Sequence, residues 1–93
     1  MALFLKISEG DEFYIGDSDA VFTRFDSGEA EMDINDGGRR HIVPMRPCGR
    51  PYWFSNGCRM ELKDYLDGVA KFRFDAPKEI KIDRSNYEGD KEG

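Results

Sequence analysis

Cysteine and histidine are scarce in this chain: Cys48, Cys58 and His41 are the whole supply of thiol and imidazole groups. A structural zinc site takes four such ligands at short spacing, and three scattered ones without a CxxC pair leave it unfilled. A disulfide between Cys48 and Cys58 could close residues 49–57, but a reducing compartment favours two free thiols. His41 has no paired nucleophile, and carboxylates such as Asp33 and Asp36 fall on expected solvent faces rather than in a constellation. The chain reads as no enzyme, with no metal and no cofactor. Long apolar runs are missing too, since none approaches the ~18 residues of a membrane span. Met1-Ala2-Leu3-Phe4-Leu5 is too short for the apolar core of a signal peptide and reads as a first strand, so the expected compartment is the cytoplasm. Positive charge is the minority sign, 14 Lys+Arg against 19 Asp+Glu for a net −5, which taken alone argues against nucleic acid.

What is present is strand signal. Leu3, Leu5 and Ile7 alternate with Phe4, Lys6 and Ser8. Glu12–Ile15, Ala20–Phe25 and Glu29–Asn35 follow, separated by Gly10, Gly16 and Gly28 turns. His41-Ile42-Val43 resumes after Gly37-Gly38, with Pro44 and Pro47 keeping it at an edge or ending it early because proline cannot donate to a ladder. Tyr52-Trp53-Phe54, Cys58–Tyr65, Val69–Phe74 and Glu79–Asp83 complete the set. Met60–Tyr65 contains good helix formers, but β-branched and aromatic residues fill its counterpart Val21–Phe25, so a strand is expected. In Tyr52-Trp53-Phe54, alternation puts Tyr52 and Phe54 inward and leaves Trp53 as an exposed stacking candidate. The expectation is an all-β domain, a small barrel or sandwich of about nine short antiparallel strands, with a disordered acidic tail at residues 85–93.

The chain also matches itself. At an offset of thirty-nine, Leu3-Phe4 falls on Ile42-Val43, Gly10 on Gly49, and Phe13-Tyr14-Ile15 on Tyr52-Trp53-Phe54. With one inserted residue, Phe25 meets Tyr65, Gly28 meets Gly68, Ala30 meets Ala70 and Met32 meets Phe72. The domain at residues 1–84 therefore reads as two repeats, about 1–38 and 39–84, neither able to close a core alone.

Charge is segregated along the chain. Residues 37–60 carry Arg39, Arg40, Arg46, Arg50 and Arg59 and no carboxylate, so this segment is +5 and the rest of the chain −10. Arginine is the side chain best suited to bidentate phosphate contacts. The same arginines could instead pair with the acidic remainder of the fold.

Ala76-Pro77-Lys78-Glu79-Ile80-Lys81-Ile82-Asp83-Arg84, followed by Tyr87, resembles the closing segment of the carbon storage regulator family. Glu9-Gly10-Asp11-Glu12-Phe13-Tyr14-Ile15-Gly16-Asp17 resembles that family's opening turn and short strand. The second repeat matches the family's second to fifth strands, and the first repeat its first four. The resemblance implies a fold seen in swapped homodimers of five-stranded subunits. It further implies non-catalytic binding of GGA-containing hairpins in messenger RNA leaders to control translation or transcript stability. Each family RNA site joins the first strand of one subunit to the last strand of the other, which here selects Leu5, Lys6, Ile82 and Arg84, with Arg46 on a first-strand arginine. Ile7 and Ser8 stand where the family has two consecutive arginines, and Asp83 where it usually has histidine. The first repeat lacks its own last strand, so at most one family-type site is complete. With Arg39, Arg40 and Arg50 added from the basic segment, the candidate RNA-binding set is Leu5, Lys6, Arg39, Arg40, Arg46, Arg50, Ile82 and Arg84. Arg84 also admits a plain reading as a strand-end charge paired with Asp83 or the tail.

Two partner classes remain open at this point: RNA, or a basic protein met by an acidic face of a fold that has lost RNA. With both sets of strands on one chain, a monomeric fused pseudo-dimer is expected, because linkage makes association of the halves intramolecular at an effective concentration on the order of millimolar. A homodimer remains the alternative, through whatever edge the missing strand leaves open.

Overall fold

The structure, a computed structural model, describes residues 2–84. The expected tail at 85–93, including Tyr87, lies outside the described residues. Nine strands run β1 Ala2–Ser8, β2 Glu12–Ile15, β3 Ser18–Asp26, β4 Glu29–Asp36, β5 Arg39–Met45, β6 Tyr52–Trp53, β7 Arg59–Leu66, β8 Val69–Asp75 and β9 Ile82–Arg84. They form two antiparallel sheets, β1-β8-β7-β6 and β5-β4-β3-β2-β9. The domain is all-β, as its alternation predicts.

Each sheet is built from both repeats. The meander β2-β3-β4 is flanked by β5 and β9, which come from the second half of the chain, and β6-β7-β8 is flanked by β1 from the first half. The two meanders share one register at an offset of forty: Phe22 opposes Met32 as Leu62 opposes Phe72, and both ladders slip by one residue, after Phe22 and after Leu62. Their hairpins repeat as well. Ser27-Gly28 has φ of 55° and 80°, and Asp67-Gly68 has 50° and 84°, the two successive left-handed residues that a tight hairpin matching strand twist requires.

The first strands correspond at an offset of thirty-eight, not thirty-nine. Ile7 faces Ala70 and Met45 faces Ala30. The Asp11 amide donates to Ser8 carbonyl as the Gly49 amide donates to Arg46 carbonyl. Gly10 therefore corresponds to Cys48, not Gly49, and Leu3 to His41. Cys48 has φ of 58°, a left-handed backbone that glycine usually supplies.

The core lies between the sheets. Phe13 and Phe22 from one sheet meet Phe72 and Phe74 from the other, with ring centroids 5.7 Å apart for Phe13–Phe72 and Phe13–Phe74, and 6.3 Å for Phe22–Phe72. Ile7, Ile15, Met32, Ile34, Met60 and Leu62 complete it, all buried. Phe25 and its counterpart Tyr65 stack on one another at 3.8 Å, nearly parallel. Equivalent residues touching in this way mark where the two repeats meet. The Tyr65 hydroxyl and the Phe25 amide both donate to the Glu9 carboxylate beside them.

Most strand ends shift by one or two residues from the sequence expectation, and two of the differences have a clear physical reason. The last strand begins at Ile82 rather than Glu79. Ala76-Pro77 must carry the chain from one sheet to the other, and the Ile80 amide closes a turn on the Pro77 carbonyl, leaving only the final residues to pair. β5 runs through Pro44, opposite Glu31. It does so as the edge strand, where a missing donor costs nothing. Both cysteines are free thiols, Cys48 exposed and Cys58 buried. Burial, with a smaller contribution from Asp75, pushes the Cys58 thiol up to about 11.

Candidate nucleic-acid interface

β1 edges one sheet and β9 the other, and the two edges meet. The Arg84 guanidinium donates to the Lys6 backbone carbonyl at 3.2 Å. Pairing of β9 with β2 sets Ile82 opposite Ile15 and Arg84 opposite Phe13, so both side chains project on the core side of the sheet, toward β1. Leu5 opposes Phe72 and faces the same way, while Lys6 opposes Lys71 on the outer face. Four of the eight candidate residues, Leu5, Lys6, Ile82 and Arg84, thus come together at one seam. Beside it runs an apolar trough lined by Leu3, Phe74, Ala76, Pro77, Ile80 and Ile82. Lys78 at the trough and Lys81 next to it are exposed. The seam joins an apolar floor to a cationic rim, with Asp83 and Glu79 as carboxylates on the same segment.

The other four candidates do not join it. Arg39 and Arg40 lie on β5, four strands away from β9, about 19 Å at the usual strand spacing. Arg40 forms a two-pronged ion pair with Asp33, which holds the Asp33 carboxyl below its ordinary value. Arg46 pairs with Glu29 at 3.0 Å, and Arg24 on the same face pairs with Glu31 at 3.3 Å. Arg50 lies beside Arg46 in a shallow depression with Glu29, Pro44 and Gly49. Among the described residues, Arg39 and Arg50 make no ion pair. Arg59 is drawn into a network with Asp75, Glu61 and Arg73 on the outer face of the four-stranded sheet. Glu61 Oε1 makes no hydrogen bond there and is held by charge alone, at 3.7 Å and 3.9 Å from the two guanidinium groups. No single basic patch spans the eight residues.

Trp53 is 62% exposed, with Tyr52 half-buried and Phe54 buried, as alternation predicts. The Arg59 guanidinium sits 5.8 Å from the centre of its ring. This places Trp53 on the far edge of its sheet from β1, away from the seam.

Asp36 is the residue that sequence reading missed. Its carboxylate accepts from Tyr52 Oη at 2.9 Å, Ser55 Oγ at 2.7 Å, the Ser55 amide at 3.1 Å and Ser18 Oγ at 3.2 Å. It ties β4 and β3 of one sheet to β6 of the other. The one available signal was its position, immediately before Gly37-Gly38. Partial burial pushes the Asp36 carboxyl up, but hydrogen bonds from Ser55, Tyr52 and Ser18 outweigh it and leave the group below 3.8. Burial and the same carboxylate push the Tyr52 hydroxyl up to about 12. A depressed carboxyl stabilises the fold above its unfolded value and loses that contribution as pH falls through the folded one. Melting temperature is therefore expected to drop below about pH 4, where unfolded carboxylates take up protons, and Asp36→Asn to flatten that drop. Thermal melts from pH 2 to 6 check both, and identical slopes in the two proteins would remove Asp36 from the account.

Comparison with protein-family models, with curated proteins and with solved structures finds no match for this chain. Among the described residues no helix is long and apolar enough to cross a membrane.

Proposed function

We propose that this protein is an RNA-binding regulator of the carbon storage regulator type, folded as a single-chain counterpart of that family's swapped dimer, and that it binds GGA-type hairpins in messenger RNA leaders through the β1/β9 seam. The observation that carries this reading is the contact of Arg84, from the last strand of the second repeat, with Lys6, on the first strand of the first. It is the pairing of elements that the resemblance implies for an RNA site. The apolar trough offers room for unstacked bases, and Lys6, Lys78, Lys81 and Arg84 offer phosphate partners. Binding would act by occluding a ribosome-binding site, with no chemistry required.

Only one such seam exists among the described residues. At the pseudo-equivalent position, His41 and Val43 replace Leu3 and Leu5, Pro44 replaces Lys6, and no strand lies where β9 would be. Titration of a fluorescent GGA hairpin is expected to saturate at ~50 mM salt. Four cations permit a log–log salt slope of about −2 to −3, given about −0.7 per phosphate contact on single strands. No binding at ~50 mM salt would refute the RNA reading.

The second reading is a protein-interaction module. It is favoured by the pairing of Arg24, Arg40 and Arg46 with Glu31, Asp33 and Glu29, which spends basic charge internally on the five-stranded sheet. That outcome would appear as absent hairpin binding together with ribonuclease-insensitive capture of a basic protein.

A further inference from the structure

The two meanders end differently at their outer edges, and the difference is repaired by one side chain. In the complete half, β9 lies against β2: Tyr14 faces Asp83, and the Gly16 amide donates to the Lys81 carbonyl at 2.7 Å. In the incomplete half, β6 takes the place of β2, with Trp53 for Tyr14 and Ser55 for Gly16. Among the described residues no strand covers it. The Ser55 amide instead donates to the Asp36 carboxylate at 3.1 Å to each oxygen. Asp36 stands one residue beyond the register counterpart of Asp75, where the second repeat has Ala76 and continues into its last strand. The first repeat turns back there through Gly37-Gly38 into β5. Its final carboxylate supplies the acceptor that a last-strand carbonyl would have supplied.

The rest of the edge stays open. The Phe54 amide bonds inward to the Cys58 carbonyl at 2.8 Å. Alternation of an antiparallel ladder then aims the Trp53 N–H and C=O outward, and neither has a partner among the described residues. An unpaired edge carrying an exposed aromatic invites pairing with its own copy. Antiparallel pairing about a two-fold axis needs only one strand that can face itself.

We propose that the β6 edge is a self-association surface for a second copy of this chain, pairing Trp53 to Trp53, and that Asp36 keeps it closed. The carboxylate occupies the Ser55 donor that would extend the pairing frame. In a paired dimer it would also bring two like charges toward one interface.

Asp36→Ala frees the Ser55 amide and removes the charge. Sedimentation is expected to show its mass moving from one chain to two as concentration rises, while the unmodified protein stays at one. Asp36→Asn keeps an acceptor and is expected to remain near one chain. Adding Trp53→Pro to Asp36→Ala removes an outward N–H that β7 does not use, and is expected to restore the single-chain mass. Folded Asp36→Ala that holds at one chain at every concentration would overturn the proposal. Should that variant fail to fold, amide exchange in the unmodified protein decides. Rapid exchange at Trp53 beside protection at Ser55 supports it, and equal protection of the two overturns it.

Discussion

Phe72→Ala is expected to destabilise the domain by about 3–5 kcal/mol, the range for removing a fully buried phenylalanine. Phe72 is completely buried on β8 and touches rings from three other positions, Phe13, Phe22 and Phe74. Phe13 and Phe22 belong to the opposite sheet, so the truncation opens a void between layers that neither sheet can close by itself. Domains of this size hold only about 5–15 kcal/mol in total, which makes the loss a large share of stability. Urea unfolding followed by circular dichroism checks it. Trp53→Ala, at an exposed ring, serves as control and is expected to change stability by less than about 0.5 kcal/mol. A Phe72→Ala midpoint close to the control would contradict the two-layer core.

Arg84→Ala is expected to weaken hairpin binding by roughly 10- to 100-fold, the ~1.5–3 kcal/mol of a hydrogen bond to a charged phosphate group. The side chain sits on a three-residue edge strand and is only half-buried, so the fold should persist. Arg84→Lys keeps the charge and loses the planar fork, and should recover only part of the affinity. Arg40→Ala separates the two candidate groups. Its guanidinium is already engaged by Asp33 near the opposite edge of the sheet, and its removal should leave affinity within about two-fold. Equal losses at Arg40 and Arg84 would mean that general basic charge, and not the seam, binds RNA. Unchanged affinity at Arg84 would take the seam out of the mechanism.

Strand identities were legible because alternation and turn residues are local. Ala30, Met32 and Ile34 point inward, with Glu29, Glu31 and Asp33 between them less buried, as period two requires. Exposure of Trp53 followed from the same rule. The exchange of β1, β5 and β9 between repeats was not legible from periodicity, because an edge strand of either hand satisfies the pattern equally. It came only with the family resemblance. The one-residue slip at the first strands has a physical source. Matching Gly10 to Gly49 assumes that a left-handed turn position needs glycine, and here Cys48 occupies it. Glu79–Lys81 alternates like a strand but is consumed by the crossover turn after Pro77. Arg39, Arg40, Arg46 and Arg50 were grouped with the seam residues in one candidate set because the sequence does not show the strands that separate β5 from β9. Asp36 was read as a solvent carboxylate because its four donors come from Ser18, Tyr52 and Ser55, all distant in sequence.

The central claim is that one chain holds a whole pseudo-dimer with one RNA seam. Native mass spectrometry of the protein mixed with excess GGA hairpin tests it most directly. A complex of one chain and one hairpin is expected. Two chains carrying two hairpins, or one chain carrying none, would contradict it.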